Sequence, residues 1–145
     1  MYIYLMNTID EDIELAFNNL IPQLSQYSSP PNRVALEQIL ASQATFIFLA
    51  KEPDQAGQIV GTATLAAFET PTGKHGWIED VVVDKTFRGQ GIGRALTQAC
   101  LEKARTLGLH DVNLTSRPNR VVANKLYQAM GFIKRQTNIY RLPLE

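Results

Sequence analysis

The stretch Trp77-Ile78-Glu79-Asp80-Val81-Val82-Val83-Asp84-Lys85-Thr86-Phe87-Arg88-Gly89-Gln90-Gly91-Ile92-Gly93-Arg94 decides how this chain is read. Its first part is apolar and β-branched, the composition of a strand. Glycines follow at 89, 91 and 93, and Ile92, Leu96, Cys100, Ala104 and Leu107 then fall on one helical stripe that Gly108 ends. A strand therefore feeds a glycine-rich turn, and the turn feeds a helix. Glycines keep side chains out of such a turn, so successive backbone N–H groups can converge on an anion at the helix start. The helix dipole favours negative charge there, and Arg88 and Arg94 add full positive charges.

Phosphate-binding templates can be tested against this turn. The dinucleotide fingerprint Gly-x-Gly-x-x-Gly fails, because its last position is Arg94 when read from Gly89 and Leu96 when read from Gly91. The P-loop requires Gly-Lys-Ser or Gly-Lys-Thr, and neither occurs. Arg-x-x-Gly-x-Gly remains, as Arg88, Gly91 and Gly93. It resembles the pyrophosphate loop of the acyl-CoA-dependent N-acetyltransferases of the GNAT superfamily. A second stretch, Asn119 to Phe132, resembles that family's C-terminal helix signature, with Leu126-Tyr127 followed after three residues by Gly131-Phe132.

Outward from these motifs, Met1–Asn7 alternates as a strand, and Thr8-Ile9-Asp10-Glu11 reads as a capping box. The helix it opens carries Ile13, Phe17 and Leu20 or Ile21 and ends near Pro22–Ser25. A polar loop, 26–32, leads to a short helix with Val34, Leu36, Ile39 and Leu40. Thr45–Ala50 and Ile59–Phe68 read as strands around the hairpin signal 53–57. A turn at 71–76, holding His75, precedes the strand Trp77–Val83. Asp111–Thr115 is expected to be a strand, Pro118 to Met130 a helix capped by Gly131, and Phe132–Tyr140 a closing strand. The order β-α-α-β-β-β-α-β-α-β predicts a single α/β (α+β) domain over 1–145. Its resemblance to the GNAT fold implies a mixed central sheet splayed between the fourth and fifth strands and flanked by four helices.

The resemblance also implies an activity: transfer of an acetyl group from acetyl-CoA to a primary amine of a small molecule or protein, by direct attack in a ternary complex. Such a reaction must deprotonate an ammonium, stabilise an oxyanion and protonate a leaving thiolate. The match places backbone groups of Val81, Val82 and Val83 along the pantetheine arm and gives the pyrophosphate to Arg88, Gly89, Gln90, Gly91, Ile92, Gly93 and Arg94. Tyr127 matches the tyrosine that faces the sulfur as general acid; the competing reading is a core aromatic sharing a helical face with Ala123 and Met130. Glu79 stands where polyamine and amino-sugar acetyltransferases carry a base candidate, with a structural ion pair as its alternative. Strand alternation sends Asp80 to the opposite face. Asn124 is a candidate CoA contact, and Arg120 stands where many relatives carry Asn. No metal is expected, and Cys100 reads as inert packing. A non-catalytic acyl-CoA-sensing or protein-interaction module on the same fold is the alternative function.

Composition bounds the remaining classes. Fourteen Lys+Arg balance fourteen Asp+Glu for a formal net charge of zero, which argues against nucleic acid as a partner. No apolar run approaches a bilayer span, and Met1–Asn7 lacks the basic start of a secretory signal, so a cytoplasmic protein without membrane partners is expected. A homodimer is left open.

Overall fold

The computed structural model describes all 145 residues, which divide into two compact units, 1–114 and 115–145. In the first unit the elements run β1 (Tyr2–Leu5), α1 (Glu11–Leu24), α2 (Arg33–Ala41), β2 (Thr45–Glu52), β3 (Gln58–Thr70), β4 (Gly73–Val83), α3 (Ile92–Thr106) and β5 (Asp111–Asn113). A 3₁₀ turn, Lys85–Phe87, follows β4. The strands form one mixed sheet in the order β1-β2-β3-β4-β5, antiparallel until β5 joins β4 in parallel.

Helices cover both faces. Ile13, Phe17 and Ile21 of α1 and Leu36 of α2 close over Met6, Ile47 and Leu49 on one face. On the other, Ile92 and Leu96 of α3 lie against Gly61, where a Cβ would come within 3.1 Å of Leu96 and 3.3 Å of Ile92. Gly61 thus lets α3 approach the sheet closely. Cys100, on the same buried stripe, is fully enclosed, and burial pushes its thiol up to about 12. No helix is long and apolar enough to cross a membrane.

Local chemistry moves several expected boundaries. α1 is capped by Asp10, not Thr8: the Asp10 carboxylate accepts from the Ile13 N–H at 2.9 Å. The turn expected over 71–76 shrinks to its first residues, because β4 begins at Gly73, and His75 lies inside the strand. Most consequentially, β4 is not a regular strand. Thr64 pairs with Glu79 and Thr62 with Val82, so Asp80 and Val81 together oppose Ala63 in a β-bulge. Asp80 takes a φ of 53°, the left-handed conformation that aspartate tolerates better than most residues.

The second unit holds α4 (Val121–Ala129), shorter than expected because Arg117–Arg120 forms a turn that leaves Pro118 outside the helix. Gly131 follows with φ 102°. The closing strand expected over 132–140 is absent. A strand exists only with a partner, and no strand pairs with this segment. Ile133, Ile139, Tyr140, Leu142 and Leu144 are accordingly exposed.

Candidate active site

β4 has two neighbours only at its start. His75, Gly76 and Trp77 pair in parallel with Asp111, Val112 and Asn113; from Ile78 to Val83 the ladder continues on the β3 side alone. The sheet therefore opens after Trp77, leaving one edge of Val81, Val82 and Val83 without a strand beside it. Val83 is partly closed, since the Arg88 Nε donates to its carbonyl at 3.0 Å. Arg88 thereby braces the turn while the rest of its exposed guanidinium stays outside.

The opened edge runs into the glycine turn. Gly89 and Gly91 have φ of 80° and 84°, and a Cβ at either would meet nothing within 4 Å. Backbone conformation, not crowding, requires glycine here. Gly91 is the N-cap of α3, and no side chain caps this terminus; the first helical bond runs from Ala95 N to Gly91 O. The N–H groups of Ile92, Gly93 and Arg94 are thus left to a ligand. Ile92 is itself buried, so it offers only its backbone, whereas Gln90 and Arg94 are exposed. A side-chain-free cradle at a positive helix end suits a diphosphate.

Upstream of the turn, a set of side chains escaped the sequence reading. One Asp84 carboxylate oxygen accepts from Thr86 N at 2.9 Å and Thr86 Oγ1 at 2.7 Å. The other accepts from Asn19 Nδ2 at 2.7 Å and Gln23 Nε2 at 3.4 Å, both on α1. The Thr86 and Asn19 bonds hold the Asp84 carboxyl down at about 2. The local signal was available, because Asp-x-Thr is a turn-opening pattern.

Glu79 is exposed, and its pairing with Thr64, which in turn pairs with Ile47, puts it on the sheet face covered by α1 and α2. The bulge gives Val82, three residues on, that same face, so simple alternation fails beyond Glu79. His75, near the start of β4, has both ring nitrogens engaged: Nδ1 with Asp111 Oδ1 at 2.7 Å and Nε2 with Thr72 Oγ1 at 3.0 Å.

Tyr127 and Asn124 belong to the second unit. The Tyr127 ring is 9% exposed and meets Phe132 edge-on at 5.8 Å. Burial raises its phenol above the ordinary value, and the Arg120 guanidinium pulls part of the way back. The Asn124 amide nitrogen donates to the carbonyls of Arg117 and Arg120 at 2.9 and 2.8 Å, so it closes the turn before α4. A cavity of about 460 Å³ lies elsewhere, between α1 and the β2–β3 hairpin, lined by Asp12, Asn19, Lys51 and Ile59 among others and by none of the expected site residues.

A sheet that opens beside a glycine turn at an uncapped helix is the frame of an N-acetyltransferase. The chain belongs to the acetyltransferase (GNAT) family, whose pattern matches residues 9–132. It is 29% identical over 136 residues to glucosamine 6-phosphate N-acetyltransferase 1 of Oryza sativa subsp. japonica, covering 88% of this chain and 79% of that protein. It is 32% identical over 116 residues to aminoglycoside N(6')-acetyltransferase type 1 of Stenotrophomonas maltophilia, covering 76% and 74%. Of two other curated relatives it spans only 37% and 28% of the length. The fold matches a crystal structure of an aminoglycoside acetyltransferase from an uncultured soil metagenomic sample, in complex with trehalose, with a TM-score of 0.84 and 20% identity over 99% of this chain and 96% of that one.

Proposed function

We propose that this protein transfers the acetyl group of acetyl-CoA to a primary amine in a ternary complex. The observation that carries this reading is the unpaired edge of β4 leading directly into the side-chain-free turn at the start of α3. An extended amide-bearing arm can hydrogen-bond a free strand edge, and its diphosphate can accept from the N–H groups that follow. Gly89, Gln90, Gly91, Gly93 and Arg94 hold that diphosphate with Ile92 N–H; Val81 and Val82 lie along the arm.

In the reaction the amine nitrogen forms a bond to the thioester carbonyl carbon as the carbon–sulfur bond breaks. The proton lost by the amine goes to Glu79, directly or through water. The leaving thiolate takes a proton from the Tyr127 hydroxyl, leaving an N-acetyl amine and CoA thiol. A phenol held above its ordinary value stays protonated at neutral pH and so is available as a donor. Asn124 retains its side-chain oxygen for CoA.

The test is a panel of amino sugars, aminoglycosides, polyamines, amino acids and peptide N-termini, incubated with acetyl-CoA and read by mass spectrometry for a gain of one acetyl group. Acetylation of a member supports the reading. CoA binding without acetylation of any member would favour the sensing module instead. Tyr127→Phe should lower kcat about 10²-fold or more while CoA affinity holds; a loss under about fivefold removes Tyr127 from the acid role.

A further inference from the structure

We propose that Asp84, anchored by Asn19 and Gln23 of α1, is a positioning residue for the CoA diphosphate: the α1 amides fix the backbone from which the glycine turn is launched. The proposal rests on the reading of that turn as the diphosphate site. Four successive N–H groups leaving β4 are all committed within the protein. Asp84 N donates to Val60 O at 2.7 Å, Lys85 N to Gln23 Oε1 at 2.8 Å, Thr86 N to Asp84 Oδ1 at 2.9 Å and Phe87 N to Asp84 O at 2.9 Å. Gln23 bonds the turn twice, through Lys85 N and through Asp84 Oδ2.

Beyond Phe87 the situation reverses. Gly89 and Gly91 have no neighbour close enough to restrain a side chain, and glycine is the residue with the most backbone freedom to lose on binding. Besides the Arg88 Nε bond to Val83 O at 3.0 Å, and Val83 Cγ2 at 3.9 Å from where a Gly93 Cβ would lie, the geometry of the turn is set from its two ends. One end is α3, seated through buried Ile92. The other is Asp84, whose carboxylate is held by a helix 61–65 residues earlier in the chain. Ordering the turn before the ligand arrives removes part of the entropic cost of binding.

Calorimetric titration with CoA tests this on the wild-type chain, Asp84→Asn, Asn19→Ala and the reciprocal pair Asp84→Asn with Asn19→Asp, each with its melting temperature. Loss of a charge-assisted bond predicts a CoA Kd about tenfold weaker in Asp84→Asn and Asn19→Ala, with melting shifts of a few degrees at most. The reciprocal pair restores an amide-to-carboxylate bond and should recover most of the affinity, which a merely structural role would not require. An unchanged or tighter Kd in folded Asp84→Asn overturns the proposal, as does a reciprocal pair no better than the single variant. Should Asp84→Asn fail to fold, exposed Asn19 carries the test alone, and an unchanged Kd in Asn19→Ala is then decisive. Failure of the wild-type chain to bind CoA overturns the diphosphate reading itself; wild-type binding matched by all variants overturns only the role of Asp84.

Discussion

At the start of β4, His75, Gly76 and Trp77 have a strand on each side, and at its end Ile78 to Val83 have one. The first end is closed by side chains as well as ladders. His75 ties Thr72 to Asp111, the His110 ring sits over Gly73 so closely that a Cβ would meet it, and Leu109 does the same at Gly76. The second end bulges at Asp80, loses its neighbour and runs toward Gly89 and Gly91, where an added Cβ would meet nothing within 4 Å. One strand thus supplies an anchor and an opening. At the open end pairing stops and Gly89 and Gly91 are kept for conformation alone, whereas at the anchored end Gly76 is kept for space and Gly73 for both.

The sharpest way to break the opening is Gly91→Glu, which forces a side chain into a left-handed φ of 84° and places a negative charge at the diphosphate position. CoA affinity should fall about 10³-fold, read by calorimetry on protein whose circular dichroism is unchanged. Glu79→Gln comes next. It keeps the shape of the side chain and removes the proposed base, so kcat should drop about 10²-fold and the basic-side pH profile should change, whereas Asp80→Asn, in the bulge, should leave both nearly intact. If the Asp80 variant is the crippled one, the base has been assigned to the wrong side of the bulge.

The anchored end should answer differently. Gly73→Ala strains a φ of 130° and drives a methyl into the His110 ring, so denaturant unfolding should report a loss of about 2 kcal/mol with kcat unchanged at a temperature where the protein stays folded. The smallest effect is acid sensitivity at Asp84. Its carboxyl is lowered from 3.8 to about 2 in the folded chain, so its contribution is complete above about pH 4 and disappears as pH falls toward 2. The group is largely exposed, which keeps that contribution below about 1 kcal/mol. Asp84→Asn should flatten this part of the acid unfolding curve and leave stability at pH 7–9 with no new pH dependence.

The turn was legible in the sequence because backbone chemistry itself selects the residues: Gly89 and Gly91 occupy positive φ, and three glycines with flanking arginines follow a β-branched run. The family's arrangement was legible for the same reason. What could not be read was set by partners distant in the chain. Nothing in Glu79-Asp80-Val81 announces a bulge, because the count of residues per position is fixed by pairing with β3. Asn19 and Gln23 look like surface residues of α1 until Asp84 comes to them from 65 and 61 positions away. Thr8 and Asp10 both satisfy capping chemistry, and the local pattern could not decide between them. Phe132–Tyr140 shows the converse: a segment expected as a strand stays irregular when no strand pairs with it.

Cys100 gives the protein an unusual relation to thiol-reactive dyes. It is the sole cysteine, fully enclosed on the buried face of α3, and its sulfur holds its proton to about 12. The thiolate is the form that reacts, so the folded chain presents almost no sulfur of its own to a disulfide reagent. Colour developed during the proposed acetyl transfer would then report freed CoA, with little background from the enzyme. Without substrate, the same reagent becomes a clock: it labels Cys100 only when α3 lifts from the sheet, and the labelling rate measures how often this core opens.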